Sequence, residues 1–196
     1  MNAQASRVVV LLGAFMAGLL LFLGAIFAVT GLSLTPHVAE IGGPFHLVDQ
    51  NGKPFSDQDM KGKPYLVFFG FTHCPDICPT TLFEMSQLMR KLGPDADRTG
   101  ALFITVDPGR DTTAVIKDYL ASFDPHLRGL TGDQAAIDQA TKDYRVYAKK
   151  VPLQGGDYTM DHTAMVYLMD KDGQFVAPFL LDRSADAEAT ELRRYM

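Results

Sequence analysis

With 196 residues, 47% of them hydrophobic and 21% charged, the chain has the size and balance of one globular domain, provided its apolar residues are spread along it. A formal charge of -5 and a pI near 5.4 exclude a nucleic-acid surface, because affinity for phosphates rests on clustered Lys and Arg and no such cluster occurs. The two cysteines, Cys74 and Cys78, lie four positions apart, which excludes a long-range disulfide staple and points to redox or metal chemistry instead.

The apolar residues are not spread evenly. Residues 8–29 contain no charge and suffice to cross a hydrocarbon core of about 30 Å. Arg7 precedes the run and Glu40 is the first charged side chain after it, so the positive-inside rule makes residues 1–7 a cytoplasmic leader. The bulk of the chain then lies in the periplasm, held to the inner membrane by a single span. The run exceeds the ~7–15 apolar residues of a cleaved signal peptide, and residues 29–34 form a poor processing site, so 8–29 is read as an uncleaved signal anchor. Residues 30–40 mix polar, Gly and Pro residues and are expected to be a tether, with a folded domain over 41–196.

In that domain, residues 45–48 and Pro54-Phe55 flank Asp49-Gln50-Asn51-Gly52, an amino-terminal β-hairpin. Residues 65–71 are β-branched and aromatic without alternation, the pattern of a strand buried on both faces. The spacing of Leu82, Met85, Leu88, Met89 and Leu92 predicts a helix over 80–92, closed by Gly93. A second buried strand is expected over 101–106, helices over 112–123 and 134–147, strands over 163–169 and 174–180 joined by a turn, and a last helix over 185–195. This order predicts an α/β domain, a thioredoxin-like three-layer sandwich with an amino-terminal hairpin, preceded by one transmembrane helix.

The cysteines fall in the turn from the first central strand into its helix, at the sheet edge where ligands of open α/β sheets gather. Free N–H groups at the helix start stabilise a thiolate, so low thiol pKa values are expected. A spacing of four puts both sulfurs on one side of the chain. Two soft thiolates are too few for a closed zinc site or an iron–sulfur cluster, and copper is the simplest fit, with an imidazole as third ligand.

Five histidines compete for that place. His37 lies in the tether, His46 in an edge hairpin and His126 in a loop. His73 adjoins Cys74 but points away from it, which leaves it a role in tuning the thiols from outside the ligand set. His162 stands before a predicted core strand next to the cysteine turn, in a region where such folds bear a cis-proline, yet no proline occurs between Pro152 and Pro178. Asp107, at the same sheet edge, is a candidate for orienting a ligand from behind. Met85, Met89, Met160, Met165 and Met169 are read as core residues, Met160 least firmly.

Three motifs in order, Cys74-Pro75-Asp76-Ile77-Cys78-Pro79, Val106-Asp107-Pro108-Gly109-Arg110-Asp111-Thr112 and Asp161-His162-Thr163-Ala164-Met165-Val166-Tyr167-Leu168, make the chain resemble the Sco/SenC family from about Ile41 onward. The resemblance implies a thioredoxin fold, copper held at Cys74, Cys78 and His162, and a part in assembling the binuclear CuA centre of cytochrome c oxidase. It implies as partners subunit II of that oxidase or another copper-site recipient, and a periplasmic copper donor. The competing reading is a thiol:disulfide reductase, in which Cys74 and Cys78 are a redox-active dithiol and His162 is dispensable. A peroxiredoxin-like enzyme is disfavoured, because both cysteines sit in one turn.

Overall fold

Residues 3–30 and 41–196 are described by the computed structural model, so the expected tether and His37 lie outside the described residues, save Thr30. The chain divides into two compact units, Met1–Ala39 and Glu40–Met196. Among the described residues, the first holds helix α1 (Ala3–Thr30). Its stretch Arg7–Ala28 is long and apolar enough to cross a membrane, about 33 Å at the helical rise of ~1.5 Å per residue.

The second unit is built on a seven-stranded mixed sheet. Strand β1 (His46–Asp49) pairs antiparallel with β2 (Pro54–Ser56), as the Asn-Gly turn predicts. Asp49 locks that turn by accepting the N–H groups of Asn51 and Lys53, each at 2.9 Å. Strands β3 (Tyr65–Gly70) and β4 (Gly100–Thr105) run parallel, with Tyr65 opposite Gly100 and Gly70 opposite Thr105. Every residue of both is buried, so both faces of the sheet are covered and the fold has three layers.

Strand β5 (Leu127–Thr131) extends the parallel set beyond β4 and accepts β1 antiparallel on its far side. It was not foreseen from the pattern, because Arg128 and Gly129 interrupt its apolar run. Gly129 is required there: a Cβ would stand 2.1 Å from Cγ2 of Ile116 and 2.7 Å from Cδ1 of Leu120.

Helices α2 (Ile77–Leu92), α3 (Thr113–Leu120), α4 (Gln134–Asp143) and α5 (Ala185–Leu192) cover the sheet, α2 packing against α5. Thr112, Asp133 and Ser184 cap the last three through their side chains. Helix α2 starts three residues before the expected position, since Pro79 sits in its first turn, where a missing N–H costs nothing. Helix α4 ends four residues before the expected 147, in a Schellman turn with Val146 N–H on the Thr141 carbonyl at 2.8 Å and Arg145 left-handed at φ 57°.

Between α4 and the last strands stands a separate two-stranded ribbon, β6 (Ala148–Pro152) and β7 (Tyr158–His162), turned at Gly155 and Gly156, both at positive φ. It too was absent from the predicted elements. The expected strands at 163–169 and 174–180 appear shortened as β8 (Val166–Met169), antiparallel to β3, and β9 (Phe175–Pro178), at the sheet margin. The sheet order is β2-β1-β5-β4-β3-β8-β9.

Candidate metal centre

Strand β3 ends at Gly70, and the segment after it is fastened by a residue from beyond β4. Buried Asp111 accepts the Thr72 N–H at 3.0 Å, the Thr72 hydroxyl at 2.6 Å and the Thr105 hydroxyl at 2.6 Å. The chain then turns, with Cys74 N–H on the Phe71 carbonyl at 3.2 Å, and enters α2. Asp76 stands at the N-cap without a side-chain cap bond. Its task falls to sulfur: Cys78 N–H donates to Cys74 Sγ at 3.4 Å.

Cys78 is fully buried in the first turn of α2, and Cys74 is half-buried. A Cβ at Gly70 would lie 2.9 Å from Cys78 Sγ and 2.9 Å from the Phe103 ring, so the seat of this sulfur exists because residue 70 is glycine. The expectation of low thiol pKa values fails for Cys78. Burial pushes its thiol well up, nearby Cys74 and Asp111 add to the rise, and a bond to the Phe71 backbone opposes it without prevailing.

His162 closes β7 and reaches back to the sulfurs. Its Nδ1 lies 3.0 Å from the Thr163 carbonyl oxygen, which can only accept, so the network assigns the proton to Nδ1 and leaves Nε2 as an acceptor. Nε2 is 3.5 Å from Cys78 Sγ. Edge-on contacts with Phe68 at 6.3 Å and Phe71 at 5.7 Å fix the plane of the ring. Ligand atoms of Cys74, Cys78 and His162 all lie within 4.8 Å of one another. Metal bonds of about 2.3 Å require donors about 4 Å apart in a trigonal site, so a small adjustment closes the three on one ion. Two sulfurs and one imidazole suit a soft metal.

The other candidates stand outside this trio. His73 is half-exposed, with Nδ1 3.1 Å from the Thr72 hydroxyl and 3.9 Å from Asp111 Oδ1. Asp107 is buried and touches none of the three: it accepts the Tyr158 hydroxyl at 2.8 Å and Nε of Arg110. His46 is exposed on β1, and His126 bridges Asp124 at 2.7 Å and Asp97 at 3.3 Å. Met85, Met89, Met160 and Met169 are buried, and Met165 is half-buried against the core.

Sequence reasoning missed Asp111, which ties Thr72 to Thr105 while its neighbour Thr112 caps α3. It also missed Tyr158 and Arg110, for which the Gly155-Gly156 pair was the available signal, since it marks a hairpin ahead of His162.

A model of the SCO1/SenC family matches residues 34–196. The SCO2-like protein of Rickettsia prowazekii (strain Madrid E) is 41% identical over 148 residues, 74% of this chain and 72% of that protein. Among solved structures, Bradyrhizobium japonicum ScoI with copper bound is 62% identical at a TM-score of 0.78, over 80% of this chain and 99% of that one. Yeast Sco1 with copper bound is 38% identical at a TM-score of 0.72, over 80% of this chain and 88% of that one. Matched by the family model over most of its length, sharing the thioredoxin-like fold of these relatives and bringing two cysteines and a histidine to one point, the chain belongs to the SCO1/SenC family.

Proposed function

We propose that this protein is a copper-binding metallochaperone for assembly of the CuA centre of cytochrome c oxidase, its copper held by the thiolates of Cys74 and Cys78 and by Nε2 of His162. The observation that carries the reading is the convergence of these three donors within 4.8 Å from two elements far apart in sequence. A closed structural zinc site takes four protein ligands, whereas sulfur-rich, three-donor sites favour copper. Copper-bound ScoI and Sco1 share this fold.

Cys78 is fully buried, so Cys74 and His162 are the ligands that a partner's donors reach first, and copper leaves by stepwise exchange of ligands. The recipient is subunit II of the oxidase and the source a periplasmic copper donor. Helix α1 is the inner-membrane anchor, residues 1–7 remain in the cytoplasm, residues 30–40 are the tether, and residues 41–196 carry the centre in the periplasm.

The test is competition for copper, in each oxidation state, between a chelator and the reduced full chain in detergent. His162→Ala should lose at least about tenfold in Cu(II) affinity, and Cys74→Ser or Cys78→Ser should lose stoichiometric binding. Copper affinity unchanged in His162→Ala would remove the histidine from the site. In cells without the protein, subunit II should lack the CuA absorbance.

A second reading is favoured by the two free cysteines, one of them half-exposed. As a thiol:disulfide reductase, Cys74 attacks a disulfide of the recipient, giving a mixed disulfide and a released thiol. Cys78 then displaces the second thiol and closes the Cys74–Cys78 disulfide. This chemistry survives His162→Ala, which separates the two readings.

A further inference from the structure

His162 approaches the thiols from the β6–β7 ribbon and not from the sheet, so whatever docks the ribbon decides whether the third ligand is in place. Strand β6 is exposed along its whole length. On β7, Tyr158, Met160 and His162 alternate onto the face turned toward the body, while Asp161 is exposed. Met160 supplies a buried but non-directional contact. The directional contacts come from the loop after β4.

There, buried Asp107 engages both carboxylate oxygens, one accepting the Tyr158 hydroxyl at 2.8 Å and the other Nε of Arg110. Arg110 Nη1 donates to the Tyr158 carbonyl at 2.8 Å. Its guanidinium also lies 3.7 Å from the centre of the Tyr158 ring and 6.0 Å from that of Phe71, the ring that meets His162 edge-on. Arg110 Nη2 is buried without a partner. A local turn satisfies Asp107 with Arg110 alone, at three residues' separation. The Tyr158 hydroxyl, carbonyl and ring join only when the ribbon is down.

We propose that Tyr158 and Arg110, with Asp107 behind them, are positioning residues that hold His162 over the thiols and so determine which oxidation state of copper the centre retains. The proposal rests on Cys74, Cys78 and His162 being the copper ligands. With the ribbon docked, the site offers two sulfurs and a nitrogen. With it released, two thiolates remain, a set that suits Cu(I) and serves Cu(II) poorly, since Cu(II) draws on nitrogen and oxygen donors. The latch therefore weighs on Cu(II) far more than on Cu(I).

The experiment is a double-mutant cycle on the full chain, reading dissociation constants for Cu(II) and Cu(I) in wild type, Tyr158→Phe, His162→Ala and the double variant. Tyr158→Phe, which removes one oxygen, should weaken Cu(II) about tenfold and Cu(I) less than about threefold. In the His162→Ala background it should cost nothing further. In the metal-free protein, Tyr158→Phe should move the His162 imidazole NMR resonances toward their solvent-exposed positions. An equal loss in both backgrounds, no loss at all, or unmoved resonances would overturn the proposal. Wild-type Cu(II) affinity in His162→Ala would instead remove the ligand set itself, and the proposal with it.

Discussion

At the scale of single residues, the three candidate ligands were readable from sequence and their surroundings were not. Cys74, Cys78 and His162 declare themselves by chemical type and spacing. What seats them is glycine, aspartate and phenylalanine, residue types with many other uses. Gly70 shows the difference: as the last residue of a buried strand it looks incidental, yet Cys78 Sγ occupies the space where a side chain would begin. Gly70→Ala should cost about 1–3 kcal/mol by overpacking and weaken copper binding by displacing the sulfur, measurable by denaturant titration and copper competition.

The acidity of Cys78 was misjudged because the helix start was weighed and the burial was not. The sign of the consequence follows from the raised pKa of Cys78. Protonated at neutral pH, this thiol must release its proton to a metal, so copper affinity should rise about tenfold per pH unit for that proton between pH 6 and 8. In the metal-free protein the folded state holds the proton more tightly than the unfolded state does. That contribution to stability is complete below the unfolded thiol's pKa of about 8.5 and is lost progressively above it. Thermal melts of the metal-free protein from pH 7 to 10 should show the decline, and copper should suppress it.

Among the elements, the buried strands β3 and β4 and the terminal hairpin β8–β9 were legible, because uninterrupted apolar runs and turn residues carry strong signals. The ribbon was illegible for a physical reason. Strand β6 buries nothing, so Ala148-Lys149-Lys150-Val151-Pro152 has no alternation to detect. Helix α4 was overextended because Val146 and Tyr147 continue its apolar spacing, while the residue that ends it is an arginine in a backbone conformation that favours glycine. Arg145→Gly should therefore stabilise the fold by about 0.5–1 kcal/mol, the relief of left-handed strain outweighing the added freedom of the unfolded chain. Denaturant melts at neutral pH should register the gain.

For the molecule as a whole, composition foretold the division between an apolar amino-terminal helix and a mixed α/β domain, and each forms its own compact unit. Residues 41–196 contain the entire sheet, its covering helices and all three candidate ligands. A chain lacking residues 1–40 should thus remain soluble without detergent and bind copper as tightly as the full chain. Circular dichroism and copper competition on the two forms would check this, and a truncated chain that fails to fold would contradict it.

The sheet stops at a proline on each side, Pro54 in β2 and Pro178 in β9. Their neighbours Lys53 and Phe179 direct backbone groups inward, the Lys53 carbonyl to Asp49 N–H and the Phe179 N–H to the Val166 carbonyl, each at 2.8 Å. Alternation along the strand turns the two ring nitrogens outward, at places where an incoming strand would look for a proton to share and find none. Such blunted rims resist recruitment into fibrils. A protein that carries a half-buried thiol at the end of this sheet can present it without its backbone seeding growth.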